Sequence, residues 1–169
     1  SIGLNFRDLL NVLGLYPGPK GYDPGLCGGD AAGIVVNVNH HDQHIFRLGS
    51  SVFGFTPGGV GSGGLGSNAV TPSFLLAPLP PGCTFDHAAV LPTAFVANAL
   101  VWEVMLSRFE HLESLLVHGA SGGIGLAAIQ LCKIADVATF ATCSSALKRA
   151  FLRSMSVRTV LDSRSTKFV

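Results

Sequence analysis

One stretch of the chain, residues 115–148, constrains the fold more than any other. An apolar run at 115–117 leads into the segment 119–125, in which four of seven residues are glycine. Apolar residues at helical spacing follow up to Leu131, and a second apolar run covers 137–141. This order of strand, glycine-rich turn, helix and strand is typical of the first half of a dinucleotide-binding unit.

The glycines of this turn favour a diphosphate site. Glycine permits a tight turn with positive φ and leaves room for a diphosphate to approach the main chain. The helix that follows presents unpaired N–H groups and the positive end of its dipole. We therefore predict cofactor contacts from Gly119, Ser121, Gly122, Gly123, Ile124 and Gly125. The alternative is a strand-to-helix turn without a ligand, although four glycines are more than a plain turn needs.

The residues after the second apolar run favour NADPH over NADH. A site specific for NAD carries an acid about 20 residues after the first glycine, where it holds the ribose diol. This region instead has hydroxyls followed by a cation, which suit a ribose 2′-phosphate. We predict contacts from Thr142, Ser144, Ser145 and Lys148, with Arg164 added if the fold brings it back. The alternative is the solvated, basic start of an exposed helix.

Composition excludes several classes of protein. Hydrophobic residues make up 48% of the chain and charged residues 12%, which is ample for a packed core. The net charge of +1, without a basic stripe, argues against nucleic-acid binding. No apolar run reaches the roughly 18 residues that span a bilayer, and no signal peptide leads the chain. The four cysteines lie far apart, so we expect reduced thiols in a cytoplasmic protein without membrane or nucleic-acid partners.

The first 92 residues have a different character. Short apolar runs at 28–38, 52–55, 69–71 and 74–76 are punctuated by glycine and proline and predict a β-rich domain. A helix begins after Asn5 as N-cap, and beside it Arg7 and Asp8 predict a weak surface ion pair. The glycine-rich run 57–67 predicts a flexible loop or a lid. A further helix is expected over 93–105, so we place the domain boundary near Pro92.

No metal site is predicted. His40, His41 and His44 lie near Asp42, but their spacing is not the i, i+4 placement of helical metal ligands. A solvated hairpin tip is the better interpretation of this segment.

Several motifs in order make the chain resemble a known family. They are GLNFRDLLNVLGLYPG at 3–18, LCGGDAAGIV at 26–35, AAVLPTAF at 88–95, LLVHGASGGIGLAAIQL at 115–131 and KRAFLRSMSVRTVLDSRSTKF at 148–168. The chain resembles the enoyl reductase domain of type I polyketide synthases and animal-type fatty acid synthases. These belong to the zinc-free, quinone-reductase-like branch of the medium-chain dehydrogenase/reductase superfamily. Gly28 and Gly29 stand before Asp30 where zinc alcohol dehydrogenases carry His-Glu.

The resemblance implies an α/β fold. A GroES-like β-rich domain, incomplete at its N-terminus, would occupy residues 1–92. The first half of a Rossmann doubly wound parallel sheet would follow over 93–169. Because the chain lacks an initiator Met and carries two or three of the six strands of such a sheet, we expect it to be a fragment.

The resemblance also implies a reaction and its partners. NADPH would reduce the α,β double bond of a trans-2-enoyl thioester held by the phosphopantetheine of an acyl carrier protein, alongside other synthase domains. The tyrosine of the family's LGLYPG motif is implicated in delivering the α-proton, and that position is Tyr16. Without the family, Tyr16 would be interpreted as a turn aromatic packed on the β-rich domain.

The chain departs from the family pattern at several positions. The threonine expected near the nicotinamide is Ala97, followed by Asn98, and the glycine that closes the nucleotide-domain helix is Asp136. Two alternatives to an active enoyl reductase therefore stay open. One is an inactive NADPH-binding or structural domain of a synthase, and the other is a free-standing quinone or enal reductase.

Overall fold

The chain has an antiparallel sheet in its first part and a parallel sheet in its second. A computed structural model describes residues 1–17, 27–57, 64–106 and 112–165. It divides into two compact units, Ser1–Pro92 and Thr93–Val169. The predicted α/β class is confirmed, because a four-stranded antiparallel sheet and a three-stranded parallel sheet follow each other along the chain.

The antiparallel sheet of the first unit has its strands in sequence order. The strands are β1 (Ile2–Gly3), β2 (Asp30–Ile34), β3 (Ser51–Phe55) and β4 (Leu76–Pro78), and the helices are α1 (Phe6–Val12) and α2 (Phe85–Ala88). Ala32 and Phe53 from the sheet pack with Ala88 and Ala89. This small core joins the sheet to the segment that leads into the second unit.

Three predicted strands of this unit differ from the structure. β2 ends at Ile34 rather than at residue 38, and residues 69–71 are irregular. Ser73–Leu75 forms a 3-10 turn where a strand was expected. The turn lies against β3 at Gly54, where a Cβ would overlap the carbonyl oxygen of Leu75. The apolar composition of these runs therefore reflects packing and not strand pairing. The predicted loop or lid at 57–67 falls largely on 58–63, outside the described residues.

Asp8 is a buried structural carboxylate, so the prediction of a surface ion pair is wrong. Its side chain is 6% exposed. Its Oδ1 accepts a hydrogen bond from the N–H of Gly28 at 2.7 Å, and its Oδ2 accepts one from the N–H of Asn5 at 2.8 Å. The carboxylate thus closes the start of α1 and ties this helix to the segment that leads into β2.

Asp8→Ala is expected to destabilise the protein, because two backbone N–H groups lose their acceptor. A buried unsatisfied donor costs about 1–3 kcal/mol, and Asp8→Asn should cost less because its amide oxygen still accepts one bond. Urea unfolding measures the change, with Asp86→Ala as the control, since Asp86 is an exposed carboxylate of the same unit. Equal stability of Asp8→Ala and Asp86→Ala would contradict this role.

The second unit contains the predicted parallel sheet. A helix, α3 (Leu91–Asn98), leads in and widens to π-helical turns over Ala99–Leu106, where the sequence predicts a helix over 93–105. The strands are β5 (Ser114–Val117), β6 (Ala138–Cys143) and β7 (Thr159–Asp162), with helices α4 (Gly123–Ile134) and α5 (Ala146–Ser154) between them. β6 lies in the centre, with Val117 opposite Ala141 and Cys143 opposite Asp162.

The core of this unit lies between the sheet and its helices. Its fully buried residues include Ala97, Cys132, Ala141 and Leu152. Burial raises the pKa of the Cys132 thiol, against the opposing effect of a hydrogen bond from Thr139, so this cysteine packs as a neutral side chain. Across the described ranges, no helix is both long and apolar enough to cross a membrane.

Two non-glycine residues have positive φ, one after each of the helices α4 and α5 of the second unit. Asp136 follows α4 with φ 57°, and Ser156 follows α5 with φ 66°. A left-handed residue after the C-cap ends a helix and turns the chain into the next strand. Asp136 therefore has the left-handed conformation that favours glycine, the residue expected from the family at this position.

Candidate dinucleotide-binding site

The carboxyl ends of the three parallel strands carry the predicted cofactor residues. His118 and Gly119 follow β5, Ser144 follows β6, and Ser163 follows β7. Because the strands are parallel, these ends meet at one edge of the sheet. The Ser163 N–H donates to the carbonyl of Cys143 at 3.2 Å, which joins β7 to β6 at this edge.

The glycine-rich turn is anchored to the central strand. Gly119 has φ +60°, a left-handed conformation in which a side chain is strained. The Gly122 N–H donates to the Gly119 carbonyl, and the Ala120 N–H donates to the Thr142 carbonyl, each at 3.0 Å. The backbone path of the turn is therefore defined by hydrogen bonds within the protein.

The start of α4 leaves donors for an anion. Gly122 is the N-cap, with φ −85° and ψ 170°, and it has no side chain with which to cap the helix. The first N–H groups of a helix have no acceptor within it. Gly122, Gly123 and Ile124 are exposed at this end of the 12-residue helix, whose dipole is positive there. This geometry suits a diphosphate.

Glycine occupies the positions of this turn for different physical reasons. A Cβ on Gly125 would lie 2.6 Å from the Ala120 Cα, so glycine is required there by the protein itself. A Cβ on Gly122 would lie 3.4 Å from the Gly119 oxygen, which is an ordinary contact. Gly122 is therefore the turn glycine that neither a close contact nor a positive φ demands, and its open outer side is where a ligand would approach.

The Thr142 side chain is buried, whereas the cofactor contact predicted for it requires an exposed hydroxyl. Its side chain is 0% exposed, and its Oγ1 is 3.1 Å from Nδ1 of His118. The hydroxyl is therefore engaged inside the protein and does not face solvent. The sequence reasoning missed His118, although the strand register places it opposite Thr142.

Ser144, Ser145 and Lys148 lie where β6 passes into α5. Ser145 is the N-cap of α5, and its Oγ accepts from the Lys148 N–H at 3.2 Å. A hydroxyl that accepts in this way still has its own proton to donate to a phosphate. The Ser145 and Lys148 side chains are exposed and Ser144 is half-buried, so donors and a positive charge face solvent at one helix start.

The nearest carboxylate at this edge is engaged by arginine. Nη1 of Arg149 is 3.2 Å from Oδ2 of Asp162 and also donates to the carbonyls of Cys143 and Ser144. Arg149 therefore ties α5, β6 and β7 together. Arg164 is exposed, and its backbone N–H donates to Oδ1 of Asp162 at 3.0 Å. Arg164 follows β7 and therefore lies at this edge of the sheet, which its predicted contact with the 2′-phosphate requires.

Lys148→Ala is expected to weaken binding of NADPH by roughly 5- to 30-fold and to leave binding of NADH unchanged, because a charge-assisted bond to the 2′-phosphate contributes about 1–2 kcal/mol at an exposed site. The dissociation constants of both nucleotides, measured by fluorescence titration, test this. Lys133→Ala is the matched control, since Lys133 is an exposed lysine in the last turn of α4. An equal loss for both nucleotides would speak against the role of Lys148.

Tyr16, the predicted catalytic residue, belongs to the first unit. Its side chain is half-buried, and Cζ of Arg7 lies 5.4 Å from the centre of its ring. A guanidinium over an aromatic face is an attractive contact, which orients the phenol. Its proton-donating role stays a prediction.

A metal centre finds no support in the part of the chain that the structure describes. No group of three or more His, Cys, Asp or Glu side chains there could hold a metal ion. His40–Asp42 forms an exposed 3-10 turn in the connection between β2 and β3. All four cysteines are free.

The fold and the turn together define a class of protein. An antiparallel β unit is followed by a parallel unit that opens with a glycine-rich turn, which is the order of the medium-chain dehydrogenase/reductase fold. No protein-family model matches the chain. It is 32% identical over 170 residues to a phenolphthiocerol/phthiocerol polyketide synthase of Mycobacterium tuberculosis. That match covers 99% of this chain and 7% of the synthase.

Solved structures agree with the sequence comparison. The chain is similar to the CurK enoyl reductase, with a TM-score of 0.78 and 30% identity over 99% of this chain and 50% of that one. It is also similar to mycobacterial Rv1454c complexed with NADPH, with a TM-score of 0.76 and 26% identity over 95% and 48% of the two chains. The matches to the synthase and to the CurK enoyl reductase confirm the resemblance to polyketide synthase enoyl reductases. The chain spans a small part of the synthase and about half of each of the two solved chains.

Proposed function

We propose that this chain is part of an NADPH-dependent enoyl reductase. The enzyme would reduce the α,β double bond of a trans-2-enoyl thioester on an acyl carrier protein, in polyketide or fatty acid biosynthesis. The observation that carries the proposal is the edge of the parallel sheet, where an uncapped glycine turn lies beside a helix start with two hydroxyls and a lysine. The similarity to polyketide synthases and to an enoyl reductase supports it.

The residues at this edge fit NADPH. The start of α4 would hold the diphosphate with backbone N–H groups, since Gly122 leaves its approach open. Ser145 and Lys148 would hold the 2′-phosphate, together with Ser144 and Arg164. The carboxylate at this edge, Asp162, is paired with Arg149 and does not compete for the ribose. Thr142 would support the glycine-rich turn through its hydrogen bonds to His118 and Ala120.

The chemistry divides between the cofactor and the protein. When bound, NADPH supplies a hydride to the β-carbon of the enoyl thioester. The electrons of the carbon–carbon double bond then move toward the thioester carbonyl, so the α-carbon needs a proton. Tyr16 would donate its phenolic proton to that carbon, and solvent would restore it. Arg7, which lies over the ring, would keep the phenol in one orientation.

The proposed partners follow from the related synthases. An acyl carrier protein would present the enoyl group on its phosphopantetheine arm, and further synthase domains would supply it and accept the saturated product. The chain matches only 7% of the length of a polyketide synthase, which leaves room for such domains in a protein of that kind. We place this reaction in the cytoplasm, where thiols such as the four free cysteines stay reduced.

The decisive experiment is turnover by the intact polypeptide that contains this sequence. Oxidation of NADPH is followed with a crotonyl thioester on an acyl carrier protein, and mass spectrometry detects the saturated acyl group. Turnover should require the thioester and should be much slower with NADH. NADPH binding without any reduction would refute the enoyl reductase and favour the inactive domain.

The two alternatives have less support. The inactive-domain alternative depends on Ala97 and Asn98, but Ala97 is fully buried in the core of its unit with Val101 and Val117. A threonine there would bury an additional hydroxyl, so the alanine serves packing. A free-standing quinone or enal reductase would reduce small quinones faster than the carrier-bound thioester, which the same assay distinguishes.

A further inference from the structure

The junction between β5 and the glycine-rich turn carries a side chain that the proposed function does not use. His118 lies between Val117, the last residue of β5, and Gly119. Because Val117 pairs with Ala141, the next position places His118 opposite Thr142 on the central strand. Nδ1 of His118 and Oγ1 of Thr142 are 3.1 Å apart, which is a hydrogen bond in either tautomer of the ring.

Thr142 holds the turn from both sides of Gly119. Its hydroxyl bonds to His118, just before this glycine, and its carbonyl accepts from the Ala120 N–H, just after it, at 3.0 Å. Gly119 has the left-handed φ of +60° between these two anchors. The two bonds therefore define where the chain leaves the sheet, and with it the direction in which the N–H groups of α4 point.

The bond also explains a buried hydroxyl beside an exposed imidazole. Thr142 is 0% exposed, and a buried hydroxyl without a partner is costly. The His118 side chain is exposed, so its ring is not required for core packing. What the ring contributes at this position is the bond from Nδ1.

We propose that His118 is a positioning residue for the diphosphate-binding turn, acting through the buried hydroxyl of Thr142. This role rests on the proposed function, because the turn it positions is the one that would hold NADPH. This role uses only the bond between Nδ1 and the Thr142 hydroxyl, and it includes no direct contact of His118 with the cofactor. It adds His118 to the site and changes Thr142 from a ligand contact to a support.

Two conservative substitutions separate this role from direct contact. An asparagine amide can replace Nδ1 of histidine, whereas a glutamine amide replaces Nε2. In the intact polypeptide, His118→Asn should bind NADPH within about 2-fold of wild type, and His118→Gln about 3- to 10-fold more weakly, as the loss of one hydrogen bond predicts. The reverse order would overturn the proposal, because it would mean that Nε2 contacts the cofactor. His87→Gln, at an exposed histidine of α2, is the control.

A ligand fragment distinguishes positioning from general damage. Adenosine 2′-monophosphate lacks the diphosphate, so its affinity should be the same in wild type and in His118→Gln. An equal loss for this fragment and for NADPH would overturn the proposal in favour of a purely structural role. Thr142→Val should weaken NADPH binding as His118→Gln does, and the double variant should be no weaker than either single variant. Additive losses would also overturn it.

The failure of this role can be told from failure of the proposed function. A wild-type polypeptide that does not bind NADPH would overturn both. If wild type binds NADPH and turns over the thioester, and both His118→Asn and His118→Gln bind NADPH as tightly as wild type, only the role of His118 is overturned.

Discussion

Gly125→Ala is expected to weaken NADPH binding by roughly 10-fold or more and to lower the free energy of unfolding by about 1–3 kcal/mol, as overpacking does. The new Cβ would lie 2.6 Å from the Cα and 2.8 Å from the carbonyl carbon of Ala120. Both are backbone atoms, so relief requires α4 to move away from the turn. Because the N–H groups that face the diphosphate lie on this helix, the site would be displaced with it.

Two further glycines serve as controls for this prediction. Gly33→Ala introduces a Cβ in β2 with nothing within 4 Å, so both stability and binding should be unchanged. Gly122→Ala fits the protein without a clash but places alanine at an N-cap, so it should cost less stability than Gly125→Ala while still weakening NADPH binding. Urea unfolding and nucleotide titration of the three variants give the comparison. A stable Gly125→Ala variant with full affinity would show that the helix need not lie so close.

Tyr16→Phe is expected to lower the rate of enoyl reduction in the intact enzyme by about 10²- to 10⁴-fold, the usual contribution of a positioned general acid. NADPH affinity should not change, because the residue is assigned to proton delivery alone. The aromatic ring remains, so the contact with the Arg7 guanidinium is retained and only the hydroxyl is lost. Single-turnover oxidation of NADPH with a carrier-bound enoyl thioester measures the rate.

The other tyrosine of the chain provides a matched control. Tyr22 lies in the segment outside the described residues, and Tyr22→Phe removes a hydroxyl in the same way. It should react at the wild-type rate. If Tyr16→Phe also reacts at the wild-type rate, the α-proton comes from another group. If the two variants are slowed equally, the loss does not report a specific proton donor.

Much of the second unit could be predicted because its signals are local. The apolar runs, the helical spacing and the glycines of the turn lie within a single stretch, and each has a direct backbone consequence. The position of the predicted cofactor residues at one edge of the sheet could also be predicted, since parallel strands bring their carboxyl ends together. Ser145 and Lys148 lie at this edge, at the start of α5, and their contacts with the cofactor stay a prediction.

The strands of the first unit were harder to predict. Its apolar runs are short, and such runs pack equally well as strands or as irregular segments. Residues 69–71 and Ser73–Leu75 have the composition of strands but do not join the sheet. Asp8 carries no signal of burial in its neighbours, and its partner Gly28 lies 20 residues along the chain.

The sequence by itself predicted the class of the fold, the glycine-rich turn and NADPH as the cofactor. These depend on residue type and spacing, because backbone freedom, helix dipoles and the absence of an acid are properties of a short segment. Only the tertiary structure decided which of the predicted residues are exposed and which are buried or paired. It buried the hydroxyl of Thr142 against His118, paired Arg149 with Asp162, and left Gly122 as the glycine of the turn that neither a close contact nor a positive φ requires. Burial and pairing depend on neighbours that are distant in sequence, so they become visible only when the strands are assembled.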